Sequence, residues 1–324
     1  MNRREAVLAL LALGASSLPQ AQAPGKARRI GVLFGGAPGP SEDVNTFRRG
    51  LRESGYIDGQ NIAIEYRFAG GQVGRLPELA ADLVHLKVDI IVATSTPSAL
   101  AAKRATSTIP IVFAVVADPV GAGLVANFAH PGANVTGLTS GSADLSGKRL
   151  ELLRQVAPKV SRVAVLYKPA DPSNLLLLKE LKEAAPILGL ILLPLEVREP
   201  GEFESAYLAM IRARANAMFG APGVLTNEHK QVVVALAAKH HMPAIWGHRQ
   251  FVDAGGLMSY AVNGYHQIGQ TANYIDKILK GAKPGDLPVE QPTRYELVIN
   301  VKTAKVLGLT IPPPLLLRAD EVIR

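Results

Sequence analysis

Residues 29–36 read RIGVLFGG, a short apolar run that two glycines close. An apolar run of this length is typical of a strand that is buried on both faces of a parallel sheet. The next segment, 42–54, is a predicted helix, with Ser41 as its N-cap and two acidic residues in its first turn. The folded part of the chain therefore begins with a strand followed by a helix.

The same alternation continues away from this first unit. Further strands are predicted at 61–67, 88–93 and 109–116, with helices at 75–87 and 97–105 between them. A second series then has strands at 162–167, 190–195, 217–220 and 244–246, with helices at 147–157, 174–188, 202–214 and 226–240. Two such series predict an α/β fold of two doubly wound parallel-sheet lobes joined by a hinge. A helix at 264–280, a strand at 297–300 and a proline-rich, extended tail after Pro312 complete the predicted elements.

The first 23 residues have the features of an export signal. Arg3 and Arg4 precede an apolar run over residues 6–13, and Ala21-Gln22-Ala23 has the A-x-A form of a cleavage site. The arginine pair also fits a twin-arginine signal, so both export routes stay open. The chain has no cysteine, which excludes disulfides and a lipid anchor. We therefore predict an exported, non-lipidated periplasmic protein.

Charge and composition exclude some classes of partner. The formal net charge is +8, which at first favours nucleic acid or an anionic surface. However, the basic residues are scattered and only 5% of residues are aromatic, so stacking platforms for single strands are scarce. We expect a basic, solvated surface and no nucleic-acid partner.

Five segments carry a resemblance to a known family. They are IIVATSTP at 90–97, VVADPVGAGL at 115–124, PGANVTG at 131–137, GGLMSY at 255–260 and LKGAKPGDLPVE at 279–290. In this order and spacing the chain resembles the ABC-transporter substrate-binding proteins of the tryptophan/tyrosine-binding type, from about residue 29 to residue 310.

The resemblance implies a type I periplasmic-binding-protein fold, with a ligand bound between two lobes. On that template the first lobe is 28–137 plus 262–283, and the second is 138–261 plus 284–324. The implied function is capture of a small organic solute for an ABC permease, with an amino acid or an aromatic compound as candidates. No catalysis, cofactor or metal is implied, and a monomer is expected.

Ligands of open α/β sheets bind beyond the carboxyl ends of the strands, and this rule gives the candidate residues. They are Phe34, Gly35, Thr94, Ser95, Thr96, Asp118, Thr139, Ser140, Asn174, Ala221 and Trp246. Hydroxyls at Thr94-Ser95-Thr96, ahead of a helix, suit a carboxylate, but they equally suit a cap of that helix. Asp118 can accept a ligand ammonium or can form only a turn, and Phe34 and Trp246 can wall the ligand or belong to the core.

The main alternative is an exported or cytoplasmic Rossmann-like nucleotide-dependent enzyme, because Gly35-Gly36-x-x-Gly39 follows a strand. That loop lacks the G-x-G-x-x-G spacing and contains two prolines. Five histidines lie between residues 229 and 266, but none has a metal-ligand spacing such as H-E-x-x-H. A gene regulator of the same fold class would need a DNA-binding module where this chain has an export signal.

Overall fold

The computed structural model describes residues 27–39, 41–142 and 145–324, so the predicted export signal lies outside the described residues. The first sheet has five strands, which are β1 (Arg28–Phe34), β2 (Ile62–Phe68), β3 (Ile90–Ala93), β4 (Ile111–Val116) and β5 (Val135–Thr139). Their order is β2-β1-β3-β4-β5, and every neighbouring pair is parallel. The order reverses around β1, as in a doubly wound sheet.

The second sheet has seven strands. They are β6 (Arg162–Tyr167), β7 (Ile191–Glu196), β8 (Ala217–Gly220), β9 (Ala244–Trp246), β10 (Met258–Ala261), β11 (Glu296–Asn300) and β12 (Glu321–Ile323). Their order is β12-β11-β10-β9-β8-β6-β7. Only the β10–β11 pair is antiparallel among the described strands. The predicted α/β fold of two parallel-sheet lobes is therefore confirmed, with one antiparallel pair added.

Helices cover the sheets. They are α1 (Glu42–Glu53), α2 (Leu76–His85), α3 (Thr96–Ala105), α4 (Ser146–Val156), α5 (Pro172–Ile187), α6 (Phe203–Arg212), α7 (Val224–Glu228), α8 (Lys230–Lys239), α9 (Gln250–Asp253), α10 (Gly264–Leu279), α11 (Val301–Val306) and α12 (Pro313–Arg318). The predicted helix at 226–240 is thus two helices, α7 and α8, that meet at His229. Across the described residues, no helix is both long and apolar enough to cross a membrane.

The prediction of an extended tail after Pro312 is wrong. Helix α12 begins at Pro313 and strand β12 follows it. Proline is tolerated in the first turn of a helix, and Leu315, only 2% exposed, packs into the core. Asp320 then accepts a hydrogen bond from the Leu297 amide at 2.8 Å, which places β12 beside β11.

Helix α10 brings the chain back from the second sheet to the first. It follows β10, packs on α1 and β4, and adds Ile268 and Ile275 to the first-lobe core. Its approach to α1 is close, because a Cβ atom at Gly50 would lie 2.3 Å from the carbonyl oxygen of Gly269. The residue ranges of the two lobes stay a prediction. The return of α10 to the first sheet supports them. Strand β5, up to Thr139, lies in the first sheet, two residues beyond the predicted boundary.

Candidate functional site

A cleft lies between the two sheets, at the carboxyl ends of strands from both. Its cavity volume is about 130 Å³. The loops after β3, β4 and β5 contribute the wall on the first lobe, and the loops after β6, β8 and β9 contribute the facing wall. The position is the one expected for ligands of open α/β sheets.

Four of the predicted residues line this cavity together: Thr94, Ser95, Thr96 and Ser140. Ser95 is the N-cap of α3, and its Oγ accepts a hydrogen bond from the Ser98 amide at 3.3 Å. Ser95 therefore caps α3 and also lines the cleft. Ligand binding by these four residues stays a prediction.

Phe34 and Gly35 lie next to this cavity rather than in its wall. They line an adjoining cavity of about 320 Å³, which shares Asp43, Thr94 and Ser95 with the first. The ring of Phe34 stacks on that of Phe68, with 5.4 Å between centroids. An aromatic surface thus adjoins the cleft.

Asp118 and Trp246 lie outside the lining of both cavities. Asp118 Oδ1 accepts a hydrogen bond from the Gly121 amide at 2.8 Å, so this side chain holds a turn. Trp246 is only 1% exposed and stacks on Phe251 with 4.7 Å between ring centroids. Trp246 therefore belongs to the core of the second lobe, as its alternative interpretation predicts.

Three further predicted residues brace the loops beneath the cleft. Thr139 Oγ1 donates to the Val116 carbonyl at 2.9 Å. Asn174 Nδ2 donates to the Pro222 carbonyl at 2.7 Å, and Ala221 is fully buried. None of the three lines the cavity, so any effect on a ligand would act through loop position.

Two carboxylates in the cavity wall were missed as candidates from the sequence. Asp171 is 1% exposed and is the N-cap of α5, where it accepts hydrogen bonds from the Ser173 amide at 3.0 Å and the Ser173 hydroxyl at 2.6 Å. Burial raises the pKa of Asp171. An Asp-Pro pair between a strand and a helix, at the carboxyl end of the strand, was the available signal.

Asp43 on α1 is the second carboxylate, and it faces the opposite lobe. Burial raises its pKa to about 6, Lys230 lowers the pKa, and Glu228 and Glu42 raise it. The sequence indicated only that Asp43 favours the first turn of a helix. Its place in the cleft follows from how α1 meets the second lobe, which no local pattern encodes.

The facing wall carries a histidine and an arginine. Burial, and secondarily the charge of Arg149, lower the pKa of His248 to about 4, so its ring is neutral at physiological pH. Arg249 pairs with Glu321 at 2.6 Å and Asp253 at 3.4 Å, which balances its charge.

Apolar side chains complete the wall; they are Val115, Leu177, Val224, Val262 and Ile268. The cavity therefore joins acceptors, hydroxyls and an apolar surface, a combination that suits a small polar organic molecule with an apolar part. Among the described residues, no three His, Asp or Glu side chains form a group that could hold a metal ion.

The two lobes are in contact across the cleft. A Cβ atom at Gly35 would lie 2.7 Å from Cγ2 of Val224, and one at Gly36 would lie 2.5 Å from Oε1 of Glu228. The loop after β1 therefore touches α7 of the second lobe directly. This is the arrangement of a shut cleft.

Comparison with known proteins gives two matches in sequence. Residues 33–323 match the family described as ABC transporter substrate binding protein. A tyrosine-binding protein of Clostridioides difficile (strain R20291) is 30% identical over 264 residues, which are 81% of this chain and 75% of that protein.

Three solved structures each cover 92% of this chain. A conserved domain protein from Vibrio cholerae has 30% identity and a TM-score of 0.84, and all of that chain is matched. An ABC domain in complex with L-Trp from Streptococcus pneumonia has 29% identity and a TM-score of 0.84, again with all of it matched. The ligand-free, open structure of a substrate-binding protein from Clostridium difficile has 27% identity, a TM-score of 0.65 and 99% of its chain matched. At similar identity, the described arrangement is closer to the ligand-bound form than to the open one.

Proposed function

Because the chain belongs to the family of ABC transporter substrate-binding proteins, we propose that its cleft captures a small organic solute that has both a hydrogen-bonding end and an apolar part. The solute-binding role and the type I periplasmic-binding fold come with the family and its relatives. The nucleotide-dependent enzyme is not favoured, because the family and these relatives bind solutes.

The single observation that carries this proposal is the cavity between the lobes. Asp43 and Asp171 would accept hydrogen bonds from a donor on the solute, and Thr94 and Ser95 would bind a polar acceptor. The apolar wall would hold the rest of the molecule. An amino acid or an aromatic compound fits this description, and the tyrosine-binding and L-Trp-bound relatives support it.

Ligand-dependent stabilisation tests the proposal. The purified mature protein would be screened by thermal unfolding against amino acids, aromatic acids, short carboxylates and nucleosides. A solute that binds only the folded form raises the melting temperature. We expect one chemical class to do so, with isothermal titration calorimetry giving a stoichiometry of about one per chain and with the solute recovered unchanged. Stabilisation by NAD or by a metal ion alone would contradict the proposal.

Substrate-binding proteins of ABC transporters work outside the cytoplasm, and docking on a permease follows from membership of the family. We further propose that residues 1–23 are removed on export and that the mature protein is a non-lipidated periplasmic monomer. Mass spectrometry of the protein from the periplasmic fraction should give a chain that lacks this export signal. Light scattering on a sizing column should give the mass of one chain.

A further inference from the structure

Arg149 is a buried cation beneath the cleft, and it lines neither of the two cavities. It lies on α4 and is 0% exposed. Its Nε donates to the Tyr260 carbonyl at 2.7 Å, and its Nη1 donates to the Ser142 carbonyl at 2.9 Å. Its Nη2 is buried and has no hydrogen-bond partner among the described residues.

The charge of this guanidinium also lacks a described counter-ion. Among the residues that the structure describes, no carboxylate lies within ion-pair distance of Arg149, whereas Arg249 has two such partners and Arg294 has one. Burial lowers the pKa of Arg149 to about 10, which still leaves it protonated at neutral pH. A buried, unpaired charge is costly to a folded protein and is rarely retained without a partner.

A negatively charged partner for Arg149 would approach it from the cleft. Ser142, whose carbonyl Arg149 holds, lines the cavity, and so does His248, whose pKa the charge of Arg149 lowers. Burial, and secondarily the charge of Arg149, keep the pKa of His248 at about 4, so the ring adds no second charge at neutral pH. The carboxylates of Asp43 and Asp171 line the same cavity, but neither pairs with Arg149. One part of the second-lobe floor thus lies over a buried cation that pairs with no described carboxylate.

We propose that Arg149 is a specificity-determining residue that makes this floor, at Ser142 and His248, the site for a carboxylate group of the solute. The inference rests on the solute-binding function proposed above and names the chemical class of the ligand. Coulomb attraction is stronger in a closed, desolvated cleft than in water. A carboxylate should therefore bind there more tightly than an uncharged group of the same shape. This position differs from Thr94-Ser95-Thr96, the carboxylate site predicted from the sequence.

Matched pairs of compounds test the proposal even while the natural solute is unidentified. The probes are benzoate with benzamide, and 3-(4-hydroxyphenyl)propionate with its primary amide, at constant ionic strength. We expect each carboxylate to bind the wild-type protein at least tenfold more tightly than its amide. In Arg149→Gln this preference should fall to less than twofold, because the uncancelled charge is gone.

Lys148→Gln is the matched control. It removes one positive charge from the same helix, but Lys148 lies at the surface and pairs with Glu151 at 2.7 Å. The preference for carboxylates should survive in this variant. Arg149→Lys keeps the cation and should retain part of the preference, which also covers the case in which Arg149→Gln does not fold.

Two results would overturn the proposal. If amides bound the wild-type protein as tightly as carboxylates, there would be no charge preference and the proposal would fail. The solute-binding function would still stand. A preference that persists in Arg149→Gln would place the anion elsewhere, with Thr94-Ser95-Thr96 as the next candidate. If no organic solute of any charge bound, the solute-binding function itself would fail.

Discussion

The ionised carboxylate of Asp43 is destabilised by its burial in the folded protein. Its pKa is raised to about 6, above the value of 3.8 expected for a free side chain, so folding favours its protonated form. The ionised form therefore lowers the stability of the folded protein above pH 6, and this penalty disappears as the pH falls from 6 towards 4. We expect Asp43→Asn to raise the melting temperature at pH 7.5 and to leave it nearly unchanged at pH 4.

Asp286→Asn is the control for this measurement, because it removes the same charge from an exposed position. Glu42, Glu228 and Lys230 stay in place in both variants, so a gain in Asp43→Asn alone reports the loss of the buried charge together with its coupling to these neighbours. Equal melting temperatures of wild type and Asp43→Asn at pH 7.5 would show that burial of this carboxylate is not costly.

Ser95 combines a structural and a predicted binding role, and two substitutions can separate them. Alanine at an N-cap costs about 1 kcal/mol of stability, whereas glycine costs only a few tenths. Both remove the hydroxyl. If the hydroxyl binds the solute, Ser95→Gly should weaken binding by about 1 kcal/mol in calorimetry with almost no loss of melting temperature. Unchanged affinity in Ser95→Gly would leave Ser95 as a cap alone.

At the scale of elements, the loop after β1 and helix α7 decide whether the cleft can shut. A methyl group at Gly35 would lie 2.7 Å from Val224 Cγ2, a contact between lobes. Such overpacking costs about 1–3 kcal/mol, and here it arises only when the lobes are closed. Gly35→Ala should therefore weaken solute binding in calorimetry while leaving the melting temperature of the ligand-free protein unchanged.

A double-mutant cycle gives this prediction its control. Val224→Ala removes both methyl groups that Gly35→Ala would strike, so Gly35→Ala should cost little affinity in that background. An equal cost in both backgrounds would mean that Gly35 acts on the solute or on its own loop rather than on closure.

Most elements could be predicted because their periodicity is local. Strands such as β6 (Arg162–Tyr167) are apolar runs between turn residues, and their bounds match the sequence within one or two positions. Strand β10 (Met258–Ala261) was missed because Ser259 and Tyr260 interrupt its apolar run. Helix α12 was missed because its formation depends on the docking of Leu315, which is tertiary information.

At the scale of the whole molecule, the described arrangement is the shut one, with a TM-score of 0.84 to the L-Trp complex against 0.65 to the open relative. We expect the ligand-free protein to populate a more open arrangement in solution. A solute found by the thermal screen should then lower the radius of gyration in small-angle X-ray scattering. Binding by calorimetry without any change in scattering would mean that the lobes are already shut before the solute arrives.

The candidate site shows where prediction from sequence ends. The rule for parallel sheets gave Thr94, Ser95, Thr96 and Ser140, because strand ends can be located one strand at a time. Asp43 and Arg149 could not be found in this way: their importance depends on the meeting of two lobes and on which groups surround them in three dimensions.

The return of helix α10 to the first sheet has a consequence for the order in which the protein can be made. Ile30, Val32 and Phe47 share a core with Ile268 and Ile275, which the ribosome adds only after five of the seven strands of the second sheet. Until α10 is synthesised, the nascent first lobe has an exposed apolar face, which is the kind of surface that chaperones bind.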